Sequence, residues 1–199
     1  MSLLERLMAA SGPGVAAGRV SEDAWREFVE RVVEKLDVGP GTTVFDVRCG
    51  AGAFQFPLAE NGYLVGGIDP SPALVAQATA AMPNGRWMVG EATTLDPGEP
   101  WDVVVAVSAF RTFKDLDEAR GVLARMMAKA THAIAVLDVP DADAPGSDPE
   151  SHGSSGLQYD RDWVLHTLAE MGVSAVQIED QRLDGDPLAA ARFNVFARI

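Results

Sequence analysis

Apolar β-branched runs and helix-period segments alternate along this chain, and few architectures accommodate that alternation. The first strand is read at Thr43–Val47, then a helix at 53–60, a strand at 63–68 and a helix at 73–81 opened by Ser71-Pro72. Arg86–Val89 is a weak third strand, and 102–107 is an unbroken Val/Ala run of the kind buried on both faces. Leu116, Ala119, Val122, Leu123, Met126 and Met127 mark another helix, and 132–139 a fifth strand. Asp160 caps a helix carrying Trp163, Val164, Leu168 and Met171; strands follow at 173–178 and 193–199. Strands that alternate with helices specify an α/β fold, a doubly wound, mostly parallel seven-stranded sheet with helices on both faces.

Two segments stand outside this alternation. Residues 1–36 read as an N-terminal arm with an apolar patch, followed by a helix that Ser21 caps and that carries Trp25, Phe28, Val29, Val32, Val33 and Leu36. Residues 140–160 are rich in Asp, Pro, Gly and Ser, and too long for a routine connection. Both are expected to flank a substrate. At 199 residues the chain is expected to form one domain, 1–199.

Charge narrows the partners. Asp and Glu total 29 against 16 Lys and Arg, a formal net charge of -13. That balance argues against a nucleic-acid backbone and against an anionic membrane surface. The single cysteine, Cys49, allows no disulfide within the chain and no cysteine-rich metal site. No basic-then-apolar leader and no run of about 20 apolar residues is present, so a cytoplasmic monomer or homodimer is expected, with no metal.

The chemistry concentrates where the first strand ends. Asp46-Val47-Arg48-Cys49-Gly50-Ala51-Gly52 places glycines at a strand-to-helix turn, where doubly wound sheets bind ligands. The second strand runs into Asp69, an acid placed to accept both hydroxyls of a ribose. Gln55 stands where a dinucleotide fingerprint needs a third small residue, and no P-loop pattern occurs, so neither of those sites is read here.

These residues resemble the class I S-adenosylmethionine-dependent methyltransferases, whose first motif is D/E-x-G-x-G-x-G. Gly67-Ile68-Asp69-Pro70-Ser71 resembles the second motif, Gly90-Glu91-Ala92 with Leu95 the third, and Trp101–Val105 with Ser108-Ala109-Phe110 the fourth. Arg192–Phe196 resembles the closing strand, so the likeness spans about residues 40–199. The resemblance implies a Rossmann-like fold, S-adenosylmethionine as cofactor, and methyl transfer to a small-molecule acceptor. It places Asp46 by the methionine amino group, Gly50 and Gly52 along the methionine portion, Asp69 with Pro70 at the ribose, Glu91 and Ala92 at the adenine, and Ser108 beside the methionine end.

One position departs from the family: its first motif glycine is Arg48 here. Three readings stand open. Arg48 takes an extended backbone with its side chain turned away, or reaches the methionine carboxylate, or distorts the pocket. The last admits a non-catalytic module that binds S-adenosylmethionine or S-adenosylhomocysteine. On the acceptor side, His152 in the long loop is a candidate base, Asp138 at the end of the fifth strand a candidate for orienting an amine or hydroxyl, and Tyr159 a candidate lid. The 140–160 loop carries Asp141, Asp143, Asp148 and Glu150 and no Lys or Arg, which favours a neutral or basic acceptor.

Overall fold

The computed structural model describes residues 1–11, 20–144 and 156–199. It contains α1 (Leu3–Ala10), α2 (Glu22–Leu36), β1 (Thr43–Val47), α3 (Gln55–Glu60), β2 (Leu64–Asp69), α4 (Pro72–Ala81) and β3 (Arg86–Val89). β4 (Trp101–Val107), α5 (Leu116–Lys129), β5 (Ala130–Pro140), α6 (Arg161–Glu170), β6 (Ala175–Asp180) and β7 (Arg192–Arg198) follow. The strands form one seven-stranded sheet in the order β3-β2-β1-β4-β5-β7-β6. β7 runs antiparallel to both β5 and β6, and every other pairing is parallel.

Strand period decides which face each residue serves. On β4, Val103, Val105 and Val107 belong to the apolar layer under α1–α4, while Val104 and Ala106 belong to the layer under α5 and α6. Both layers are sealed, which explains why β4 reads as continuous Val/Ala. The strand order reverses between β1 and β4, so the crevice of the fold opens at the carboxyl ends of those two strands.

The apolar patch that opens the arm is a helix. Ser2 and Glu5 form a reciprocal capping box that starts α1, and Leu4, Leu7 and Met8 bury its apolar face. α2 starts as expected, with Ser21 Oγ accepting from Ala24 N at 3.1 Å. It is pinned by Trp25, whose Nε1 donates to the Ala53 carbonyl at 2.9 Å. Among the described residues, no helix is long and apolar enough to cross a membrane.

Trp25 is 2% exposed and ties α2 to the segment leading into α3. Trp25→Ala is expected to cost about 3–5 kcal/mol in urea unfolding, through lost burial and an unmet carbonyl.

Candidate functional site

The turn after β1 is held by β2. Arg48 N and Cys49 N both donate to the Ile68 carbonyl, at 2.8 and 3.0 Å. The Asp69 carboxylate then clamps the turn, with Oδ2 accepting from Gly50 N at 3.0 Å and Oδ1 from Ser71 N at 2.9 Å. Gly50 and Gly52 have φ of 56° and 84°, which L side chains seldom adopt. A Cβ on Gly52 would also come within 2.5 Å of Met82 Cε. On the other side, the Ser11 hydroxyl at the end of α1 accepts from Ala51 N at 3.4 Å.

Arg48 is the correction here. Its φ is 69°, so the extended-backbone reading fails. The glycine-type path of the turn is kept because two amides must reach the Ile68 carbonyl together, and the arginine bears the steric cost, roughly 1–2 kcal/mol. Its half-buried side chain pairs with no described carboxylate.

Asp46 lies 2% exposed at the end of β1, and its Oδ1 meets no hydrogen-bond partner. Burial pushes its carboxyl well above the ordinary range, with the neighbouring Gln55 amide and the Val107 backbone pulling it back. Gln55 is itself fully buried, and both its amide atoms are unmet. In the sequence Gln55 only speaks against a dinucleotide site; its place beside Asp46 is a tertiary fact. Cys49 is buried, and burial with the nearby Asp46 and Asp69 pushes its thiol up, which leaves no thiolate for chemistry.

Along the same edge, Gly90 N donates to the Asp69 carbonyl at 3.0 Å, which draws the end of β3 to the end of β2. Glu91 is exposed and precedes a short 3-10 turn, Ala92–Thr94, with Ala92 2% exposed. Asp46, Arg48, Gly50, Gly52, Asp69, Pro70, Glu91, Ala92 and Ser108 therefore all sit at the carboxyl ends of β1 to β4.

A second group gathers at the ends of β4, β5 and β7. Ser108 and Asp138 have φ of 57° and 63°, and Ser108 Oγ donates to Asp138 Oδ2 at 2.5 Å. Arg192 Nη1 pairs with Asp138 Oδ1, and Gln181 Nε2 donates to that same oxygen at 3.0 Å. Arg111 Nη1 stands 3.7 Å from Asp138 Oδ2, and Asp138 N donates to Asn194 Oδ1 at 3.0 Å. Burial pushes the Asp138 carboxyl up, while Arg192 above all, then Ser108 and Arg111, pull against it.

The acceptor-side expectations change accordingly. Asp138 is enclosed by these partners, so both its oxygens are already engaged and it is a poor candidate for orienting an acceptor directly. Tyr159 is 0% exposed, donates its hydroxyl to the Phe110 carbonyl at 2.9 Å and packs between Phe110 and Trp163. Its ring belongs to the core, which excludes it as a stacking lid. His152 lies outside the described residues. Arg111, Arg192 and Gln181 were missed; the one local signal is a charged residue opening the apolar closing strand.

Relief of the Arg48 strain is measurable. Arg48→Gly is expected to raise stability by about 0.5–1 kcal/mol, the relaxed φ outweighing the freedom gained by the unfolded chain. Arg48→Val is expected to lower it by about 1 kcal/mol, since a β-branched residue fits this φ worst. Urea midpoints at constant slope check both.

Comparison with known proteins bears on the fold. A methyltransferase domain family model matches residues 44–136. A ubiquinone biosynthesis O-methyltransferase of Bradyrhizobium diazoefficiens is 32% identical over 103 residues, covering 50% of this chain and 40% of that protein. A 23S rRNA (uracil(1939)-C(5))-methyltransferase of Photobacterium angustum is 35% identical over 112 residues, covering 55% and 50%. The chain thus spans half or less of the length of these two curated relatives. Among solved structures, an S-adenosylmethionine-bound amino pentose methyltransferase of Micromonospora echinaspora superposes with a TM-score of 0.68 at 18% identity, covering 88% of this chain and 92% of that one. The magnesium protoporphyrin IX methyltransferase of Synechocystis gives a TM-score of 0.66 at 18% identity, covering 100% and 97%. Residues 44–136 thus match the methyltransferase domain model, and the chain shares the Rossmann-like fold of these S-adenosylmethionine-dependent methyltransferases.

Proposed function

We propose that this protein transfers a methyl group from S-adenosylmethionine to a small-molecule acceptor. The observation that carries the reading is Asp46 Oδ1, a buried carboxylate oxygen with no partner at the head of the glycine turn. It fits the ammonium of an amino acid, and Asp69 and Glu91 continue the line from that point along the strand ends. Asp69 already accepts two amides, yet each of its oxygens keeps a lone pair for a ribose hydroxyl. Glu91, with the Ala92 amide beside it, suits the adenine edge.

S-adenosylmethionine, when bound, supplies a methyl group on a sulfonium. The acceptor's lone pair forms the new bond to that carbon as the C–S bond breaks, and its electron pair stays on sulfur. The acceptor's proton passes to solvent or to a base. Because the displacement is in line, the protein's main contribution is to hold both reactants in register. Ser108, fixed by Asp138, bounds the methionine end.

A small molecule is favoured over RNA because the chain carries 29 acids against 16 bases. The acidic 140–160 loop by itself speaks for a neutral or basic acceptor. Asp141 in it, however, is already paired with Arg161 at 2.6 Å, so the residues at the strand ends decide the acceptor's charge.

Calorimetry with S-adenosylmethionine and S-adenosylhomocysteine tests the reading. Binding is expected, and Asp69→Ala should weaken it roughly tenfold to a hundredfold, the worth of charge-assisted hydrogen bonds. No heat with either ligand at millimolar concentration sinks the proposal; binding without turnover across an acceptor panel favours the non-catalytic module. Affinity should also depend on pH. A neutral Asp46 does not pair with an ammonium, so binding is full only above the Asp46 pKa and below the pH at which the ligand's amine loses its proton. It is lost as pH falls through the Asp46 pKa, which lies above the ordinary carboxylate range. Asp46→Asn should flatten that profile.

A further inference from the structure

Arg192 opens β7 with its side chain 1% exposed, and its Nε and Nη2 meet no hydrogen-bond partner. Only Nη1 is used, on Asp138. The unmet atoms form the side-on edge of the guanidinium, the edge that takes both oxygens of a carboxylate in parallel hydrogen bonds. Buried donors on a charged group are costly to leave unmade, so this edge lacks a partner that the folded chain does not itself provide.

Three further observations say what the partner is. The place is right: Arg192 sits behind Asp138, and Asp138 holds Ser108 at the end of β4, next to the crevice at β1. The backbone is strained there, with both Ser108 and Asp138 at positive φ on adjacent strand ends. The charge is right as well. Arg111 and Arg192 face one fully buried carboxylate, Asp138, while half-buried Asp186 acts on Arg111 from the connection between β6 and β7. The two parallel donors of the Arg192 Nε–Nη2 edge match the two oxygens of a planar carboxylate better than a tetrahedral phosphate.

Building on the methyl-transfer reading, we infer that Arg192 and Arg111 form a subsite for a carboxylate of the acceptor, which enters by displacing the 181–191 connection and taking over from Asp186. The Nε–Nη2 edge of Arg192 grips both oxygens. Asp138 is a positioning residue that holds the two arginines and Ser108 in one arrangement. The acceptor is then an acid, although the acidity of the 140–160 loop points the other way.

The test uses the full chain, with and without saturating S-adenosylhomocysteine, and ligand-observed NMR titrations of benzoate and cyclohexanecarboxylate against their matched amides and amines. The carboxylates are expected to bind at least tenfold more tightly than the neutral or cationic partners. Arg111→Met should weaken carboxylate binding at least tenfold while S-adenosylhomocysteine affinity stays within about threefold. Arg192→Met alone takes from the buried Asp138 its nearest cation, so the Arg192→Met/Asp138→Asn pair, which removes both charges, serves as the second variant and should show the same loss. Asp186→Asn, which removes the competing carboxylate, should tighten binding severalfold. Equal binding of acids and amides, or carboxylate binding that survives both arginine variants, overturns the subsite. So does a crystal structure at saturating benzoate that shows only water, or an adventitious ion only, against Arg192 Nε and Nη2. Failure of S-adenosylhomocysteine to bind overturns the methyl-transfer reading instead, and the carboxylate titration without it reports on the subsite separately.

Discussion

The site depends on one carboxylate. Asp69 accepts Gly50 N with one oxygen and Ser71 N with the other, which locks the turn after β1 to the turn after β2. The Ile68 carbonyl adds two more amides from the same turn. These bonds fix where the backbone runs between two parallel strands, and so where a ligand can lie along it. They also explain Arg48. With the amides of residues 48, 49 and 50 all committed, the chain passes through positive φ at 48 whatever side chain stands there, and a non-glycine residue is tolerated at a cost in stability.

The second cluster obeys a different economy. A buried Arg–Asp pair is weak evidence for stability, because desolvation offsets much of the attraction. Asp138 nevertheless gathers Arg192, Arg111, Ser108 and Gln181 where β4, β5 and β7 end. Such a group holds its members in one geometry at the expense of unmet donors. That is the arrangement expected where a ligand completes the hydrogen bonding.

Much of this was legible in the sequence. Alternating apolar periods place all the described strands to within a few residues, and the glycine turn and Asp69 mark where β1 and β2 end. The helix α1 is hard to read although Ser2 and Glu5 spell its capping box, because a short apolar patch beside Gly12-Pro13-Gly14 resembles an irregular arm. A tyrosine after a polar loop, such as Tyr159, looks exposed in sequence; Phe110 and Trp163, from other elements, enclose it.

What the sequence determined by itself is whatever depends on neighbours within a few residues: periods that make strands and helices, caps, and a glycine turn. It could not determine the φ of Arg48, since local sterics favour an extended or helical backbone and only hydrogen bonds from β2 override them. Nor could it assemble the arginine cluster. Ser108 lies 30 residues before Asp138, and Arg192 lies 54 residues after it. Their meeting follows from the strand order β4-β5-β7, with β7 inserted antiparallel so that its first residue lands at the carboxyl edge. Charge pairing acts through space, and only the closed sheet sets which distant side chains share that space.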